Sequence, residues 1–255
     1  MKERYFFEIS YKGTAFYGWQ KQPEQITVQN VIEDALTKIF SGIPIKIVGC
    51  GRTDTGVHAS QYFFHTDLPE NRFTNNELIY KLNGILPSSI AVHTVRAVEN
   101  NHHARFDALS RTYHYFIHQK KDPFKTDISL YHLAPLDIVK MNEAAELLIG
   151  EQDFTSFSKL HTDVKTNICN VTHAKWSTCD KNELKFEITA NRFLRNMVRA
   201  IVGTLLEVGK EKLTYKDVAE IITSKDRGKA GTSVSAHGLF LARIHYPFFD
   251  DCFNT

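Results

Sequence analysis

Cysteine is scarce and unpatterned in this chain. Its four cysteines, Cys50, Cys169, Cys179 and Cys252, show no CxxC spacing among 255 residues. That argues against a disulfide framework and fits a reduced, cytoplasmic protein. A dominant charge is missing too: 31 Lys and Arg face 29 Asp and Glu, for a net charge of +2. So weak a balance does not announce nucleic acid, and any acidic partner must meet locally concentrated charge. No apolar run approaches the length of a membrane helix. Residues Met1 to Ser10 open charged and then strand-like, unlike a secretion signal. No internal sequence repeat is visible. What the chain does have is 42% hydrophobic residues, enough for a proper core. Its length suits one large domain or two fused smaller ones.

One stretch stands out, Cys50-Gly51-Arg52-Thr53-Asp54-Thr55-Gly56-Val57-His58-Ala59. It is a polar turn between two short strand-like runs, Ile45 to Val48 and Gln61 to His65. A carboxylate, a guanidinium and an imidazole fall within seven residues, a pattern suited to a catalytic loop on a rigid sheet. Turn formation alone also explains an Asp among glycines. Asp54 and His58 lack a third ligand nearby, which argues against a metal site.

Along the chain, residues 4–11 alternate as a strand. A loop with Tyr17-Gly18-Trp19-Gln20 follows, its aromatics available for stacking on bases or for packing on the sheet. Thr27 caps an amphipathic helix ending near Phe40. Asn75 to Asn83 predicts a short helix and Ile90 to Val98 a strand. Leu109 to His118 is a strand, and a polar connection over 119–136 leads to a helix opened by Asp137. Strands over Val171 to Thr178 and Leu184 to Ala190 precede a long helix, Phe193 to Val208. Lys216 to Ser224 is helical and Leu239 to Tyr246 the last strand. The pattern is α+β with helices packed on a sheet. It divides into an N-terminal half, 1–105, with the Asp loop, and a C-terminal half, 106–255, with a cleft expected between them.

Positive charge gathers in two places. His102 to Lys121 holds Arg105, Arg111, Lys120, Lys121 and four histidines against one acid, Asp107. Arg192, Arg195 and Arg199 are spaced to form a stripe on the long helix. Arg199 borders that helix's apolar arc, so a half-buried guanidinium seeking a carboxylate is expected, with Asp54 a candidate.

The motif around Asp54 resembles that of the tRNA pseudouridine synthase A family. Tyr17-Gly18-Trp19-Gln20, His103-Ala104-Arg105-Phe106, Ser110-Arg111-Thr112-Tyr113, Asp153-Phe154-Thr155-Ser156-Phe157, Asn196-Met197-Val198-Arg199 and Gly238-Leu239-Phe240-Leu241 resemble it in the same order. Thr55 stands where the family often has Ala, and Phe240 where Tyr is common. The resemblance implies isomerisation of uridine to pseudouridine in the anticodon stem-loop of tRNA, at positions 38, 39 and 40. It implies no cofactor, no metal, no membrane and a homodimer. It also implies a central mixed, mostly antiparallel sheet made of two similar α+β halves, with helices packed on it and a central cleft.

By that resemblance Asp54 is the essential carboxylate, attacking C1′ of the ribose or removing a proton from C2′. Either role needs it ionised, which burial opposes and a neighbouring guanidinium favours; Arg199 matches the family's pairing arginine. Arg52 would fill the space left by the everted base, Tyr113 would pack on the flipped uracil, and Leu239 would form an apolar wall. His58, Arg105 and Arg111 would contact RNA or brace the loop. Two rivals stand beside this reading. One is a non-catalytic RNA-binding module. The other is a glycosidase-like hydrolase, which needs a second acid; Asp67 and Glu70 lie beyond the following strand.

Overall fold

Apolar alternation and helix capping place most elements where the residue pattern puts them. A computed structural model describes residues 3–69, 73–159 and 166–249. Glu70 and Cys252 lie outside these. The class is α+β, and the chain divides into two compact units, residues 1–109 with 241–255, and residues 110–240.

The first unit begins with β1 (Glu3–Tyr11), whose Tyr5, Phe7, Ile9 and Tyr11 are buried, as alternation predicts. Helix α1 (Val28–Ile39) follows, with Thr27 as its N-cap, accepting from the Asn30 N–H. Then come β2 (Val48–Gly49), β3 (His58–Leu68), α2 (Asn75–Ile85) and β4 (Ile90–Val98). Helix α2 starts in a reciprocal capping box between Thr74 and Glu77. Strand β1 lies between β3 and β4, antiparallel to both. Helix α1 buries Val28, Ile32, Ala35 and Leu36, and the core continues through the stacked Phe7 and Phe64 rings, 4.7 Å apart.

Two departures from the sequence reading occur here. The strand expected at Ile45 to Val48 shrinks to Val48–Gly49. Its backbone is satisfied by side chains instead: Ile45 N donates to Thr37 Oγ1, Ile47 N to Glu33 Oε1, and Thr66 Oγ1 donates to Lys46 O. A segment so bonded needs no ladder partner. Strand β3 also starts earlier than Gln61, at His58, so it takes in the end of the polar motif.

The second unit holds β5 (Ser110–His118), β6 (Leu130–Tyr131), α3 (Ile138–Glu146), β7 (Gly150–Asp153), β8 (Ile168–Asp180), β9 (Glu183–Ala190), α4 (Met197–Gly209) and α5 (Tyr215–Ser224). Strands β5, β9, β8 and β7 pair in that order, all antiparallel, while β6 adds a parallel pair to β5 and makes the pairing mixed. Trp176, Phe186 and Ile188 bury one sheet face, and Met141, Ala144, Ala145, Ile201 and Leu205 are among the buried helix residues.

Helix α4 begins at Met197, not Phe193. Asn196 takes a left-handed conformation, φ +66°, and its side chain donates to Ser233 Oγ at 2.6 Å. The helix therefore cannot extend back through Arg192 and Arg195, and the three arginines form no helical stripe. The last strand, β10 (Leu239–His245), returns from Leu241 onward to the first unit beside β3. There Ile244 N donates to Gln61 Oε1 and the Tyr246 hydroxyl to Ala104 O. Cys50, Cys169 and Cys179 are free thiols, the first two buried.

His65 on β3 carries a pH prediction. It is buried, and its Nδ1 accepts from Ala104 N at 3.0 Å. Burial, with Arg4 and His103 adding to it, pushes its pKa down to about 4. The unfolded chain takes up this proton near the ordinary value of about 6.5. Stability should thus fall as pH drops through the window from 6.5 to 4, and His65 should contribute no slope above it. Urea unfolding of the wild type and His65→Gln at pH 7 and pH 4.5 checks this. An equal loss in both proteins would assign the slope to other groups.

Candidate active site

Residues 50–57 form a turn between β2 and β3 that is braced from below and from one side. Cys50 N donates to Phe63 O at 2.8 Å, and Val57 N closes the turn on Asp54 O at 3.1 Å. Gly56 takes φ +78°, which favours glycine. The preceding 13–19 segment clasps the turn: Gly56 N donates to Phe16 O, Trp19 N to Thr53 O, and Gly13 N to His58 Nδ1 at 2.9 Å. Contact is so close that a Cβ on Gly13 would lie 1.9 Å from Val57 O, and one on Gly18 2.4 Å from Thr53 O.

Beneath the turn lies an aromatic floor. Tyr11 Oη and Thr53 Oγ1 share a hydrogen bond of 2.8 Å, and the Tyr62 hydroxyl donates to Gly51 O. Trp19 stacks on Tyr62 at 4.0 Å. Burial raises the Tyr62 pKa well above the ordinary phenol range, so it remains a donor. The aromatics of Tyr17-Gly18-Trp19-Gln20 split: Trp19 packs on the sheet at 3% exposure, while Tyr17 is half exposed.

The outcome for each first-unit residue is distinct. Asp54 is half-buried at the turn and Arg52 is exposed beside it. His58 is fully buried, so its ring braces the turn through the Gly13 bond and does not face solvent. Asp67 sits at the far end of β3, held by Arg4 Nε at 2.7 Å and Nη2 at 2.9 Å. It is therefore no partner acid for Asp54. Among the described residues no three His, Cys, Asp or Glu side chains are grouped to hold a metal ion. Arg105 is exposed on the 101–109 loop.

In the second unit, Tyr113 and Tyr115 point to one side of β5. Tyr113 is half-buried, with its ring edge against Phe193 at 5.1 Å and 85°. Tyr115 is fully buried; its hydroxyl donates to Ser235 O at 2.9 Å. Burial pushes its pKa up to about 12, partly offset by Ser235 and Arg199. Arg199 is half-buried in the first turn of α4. Its Nε donates to Val234 O at 2.7 Å, and Val234 N returns a bond to Arg199 O, which fixes the guanidinium plane. Arg111 Nη1 donates to Asn191 O at 3.0 Å. Leu239 is buried at the start of β10, just after Gly238, where a Cβ would lie 2.8 Å from the Tyr115 ring.

Sequence reasoning missed the supporting residues: Tyr11, Tyr62 and Gly13 under the turn, and Tyr115, Val234 and Ser235 around Arg199. The only hint of them was glycine beside aromatics in Tyr17-Gly18-Trp19 and in Gly238-Leu239-Phe240. Chemically, the first unit offers a carboxylate on a turn with little freedom to relax. The second offers an aromatic face and a fixed guanidinium.

The family described as tRNA pseudouridine synthase matches residues 9–107 and 144–247 of this chain. Three similar proteins are each named tRNA pseudouridine synthase A. That of Parabacteroides distasonis is 52% identical over 96% of this chain and 96% of its own length. Those of Porphyromonas gingivalis and Bacteroides fragilis are each 49% identical, over 96% of this chain and 97% of theirs.

Proposed function

Because the chain belongs to the tRNA pseudouridine synthase family, we propose that it isomerises uridine to pseudouridine in tRNA, at positions in the anticodon stem-loop. The observation that carries this is the braced turn: a conformationally restrained carboxylate, Asp54, within a chain alike to these enzymes over almost its full length. In the reaction the N1–C1′ bond breaks, the uracil turns, and a C5–C1′ bond forms. The proton on C5 goes to solvent and N1 gains one.

In this reading Asp54 attacks C1′ or takes the C2′ proton. The target nucleoside must first leave its stack, at about a few kcal/mol. Arg52, exposed next to Asp54, suits the role of filling the vacated space, since a guanidinium both stacks and grips phosphate. Tyr113 supplies a half-open aromatic face for the uracil, and stacking of this kind is worth about 1–3 kcal/mol per base. Leu239 serves as an apolar wall. Arg199 is assigned to pair with Asp54 and keep it charged, while Arg111 and Arg105 meet RNA. His58 has the bracing role, which its burial supports. The reading takes the protein as a cytoplasmic homodimer that works without cofactor or metal.

Tritium release from tRNA labelled at uracil C5 tests the proposal, because only C5–C1′ bond formation discharges that label in step with product. No release by the wild-type protein would end it. Affinity for tRNA should also fall by at least ten-fold between about 50 and 200 mM salt, since phosphate contacts dominate such binding. Filter binding across that range measures it.

A further inference from the structure

Beyond the turn and its supporting residues, the 101–109 loop of the first unit carries a column of rings that runs from core to surface. Phe6, buried, stacks on buried His65 at 5.7 Å and 20°. His65 meets His103 edge-on at 4.7 Å, and His103 stacks on Phe106 at 4.2 Å and 27°. Phe106 ends the column at 75% exposure, with the Arg105 guanidinium 5.9 Å from its ring centre.

This loop is rigidly held. His103 Nδ1 accepts from both Arg105 N, at 3.1 Å, and Phe106 N, at 3.3 Å. Asp107 closes the turn by accepting from His103 N at 2.8 Å. Ala104 is fully buried, donating to His65 Nδ1 and accepting from the Tyr246 hydroxyl. Arg4 Nη1 donates to His102 O at 2.9 Å. A large apolar ring is thus kept in water by a network that stops it folding back. Folding gains little from such an arrangement, because exposed apolar area is unfavourable. A rigid ring with a guanidinium beside it fits a flat ligand that carries negative charge nearby.

We propose that Phe106 and Arg105 form a stacking platform for a nucleobase of the bound tRNA, outside the uridine that reacts, with Arg105 meeting the adjoining phosphate. This rests on the tRNA reading above. Stacking on a preordered aromatic is sequence-tolerant, since every base has a π-face. The platform therefore holds tRNAs of different sequence alike.

The test compares Phe106→Ala, Phe106→Leu and Phe106→Trp with the wild type, measuring tRNA Kd by filter binding and steady-state KM and kcat by C5 tritium release. Phe106→Ala and Phe106→Leu should weaken tRNA binding by about ten-fold. Most of the loss should fall in KM, with melting temperatures unchanged. Phe106→Trp should bind at least as tightly as wild type. Unchanged Kd in Phe106→Ala, or full binding by Phe106→Leu, overturns the platform. So does a change of oligomeric state in sedimentation of Phe106→Ala, which would make the ring a contact between copies. If the wild type binds tRNA but releases no tritium, the enzymatic reading fails while the Kd comparison still decides this proposal.

Discussion

Asp54→Asn should abolish pseudouridine formation, by at least about 10³-fold, while tRNA Kd stays within about three-fold of the wild type. Asparagine matches aspartate in size and its backbone still closes the turn on Val57 N. What disappears is the negative charge, so neither attack on C1′ nor removal of the C2′ proton is available. Binding survives because phosphate contacts do not depend on a carboxylate; removing a negative charge from an RNA site even favours binding slightly. The measurement is C5 tritium release beside filter binding. Tight binding without release in the wild type as well would instead mark a non-catalytic RNA-binding module. A variant that turns over at near wild-type rate would remove Asp54 from the chemistry altogether.

The second large effect is expected at Gly18, which is buried against the turn. Gly18→Ala should lower turnover by about 100-fold and melting temperature by about 5–15 °C. Gly18 sits at φ +82°, costly for any residue with a side chain, and the new methyl would meet Thr53 O at 2.4 Å. The backbone strain costs roughly 1 kcal/mol and the overpacking about 1–3 kcal/mol more. Since the clash is with backbone, no side-chain rotation relieves it. The turn must shift, and Asp54 follows Thr53; a displacement of about 1 Å at a reacting group is worth roughly 100-fold. Gly42→Ala is the control. Gly42 has a similar φ of +87° with nothing within 4 Å of its added Cβ. It should lose some stability and no activity. Equal turnover in the two variants would show that the clasp on Thr53 does not position the site.

Residues that act through their neighbours in the chain were legible without coordinates. Thr27 and Asp137 cap helices because a side-chain oxygen reaches an N–H three positions ahead, a purely local geometry. Strand β4 ends where its alternation ends. The polar turn at 50–57, with His58 just after it, announced itself by residue types at short spacing. The same local reasoning failed at Arg192 and Arg195. Their spacing suited a helix, but the bond from Asn196 to Ser233, 37 positions away, sets where α4 begins. Ile45 to Val48 failed likewise, because α1 side chains took the backbone bonds that a sheet partner would otherwise supply.

The amino-acid order alone established the α+β class, the caps at Thr27 and Asp137, most element positions and the turn that carries Asp54, since each depends on periodicity or on contacts a few residues apart. Folding in three dimensions decided that His58 faces inward, that Gly13 and Gly18 lock the turn from another loop, and that β10 rejoins the first unit. It also decided that Phe106 stands exposed at the end of a column of three other rings. Those outcomes rest on hydrogen bonds and ring contacts between residues far apart in the chain, whose proximity no local pattern encodes.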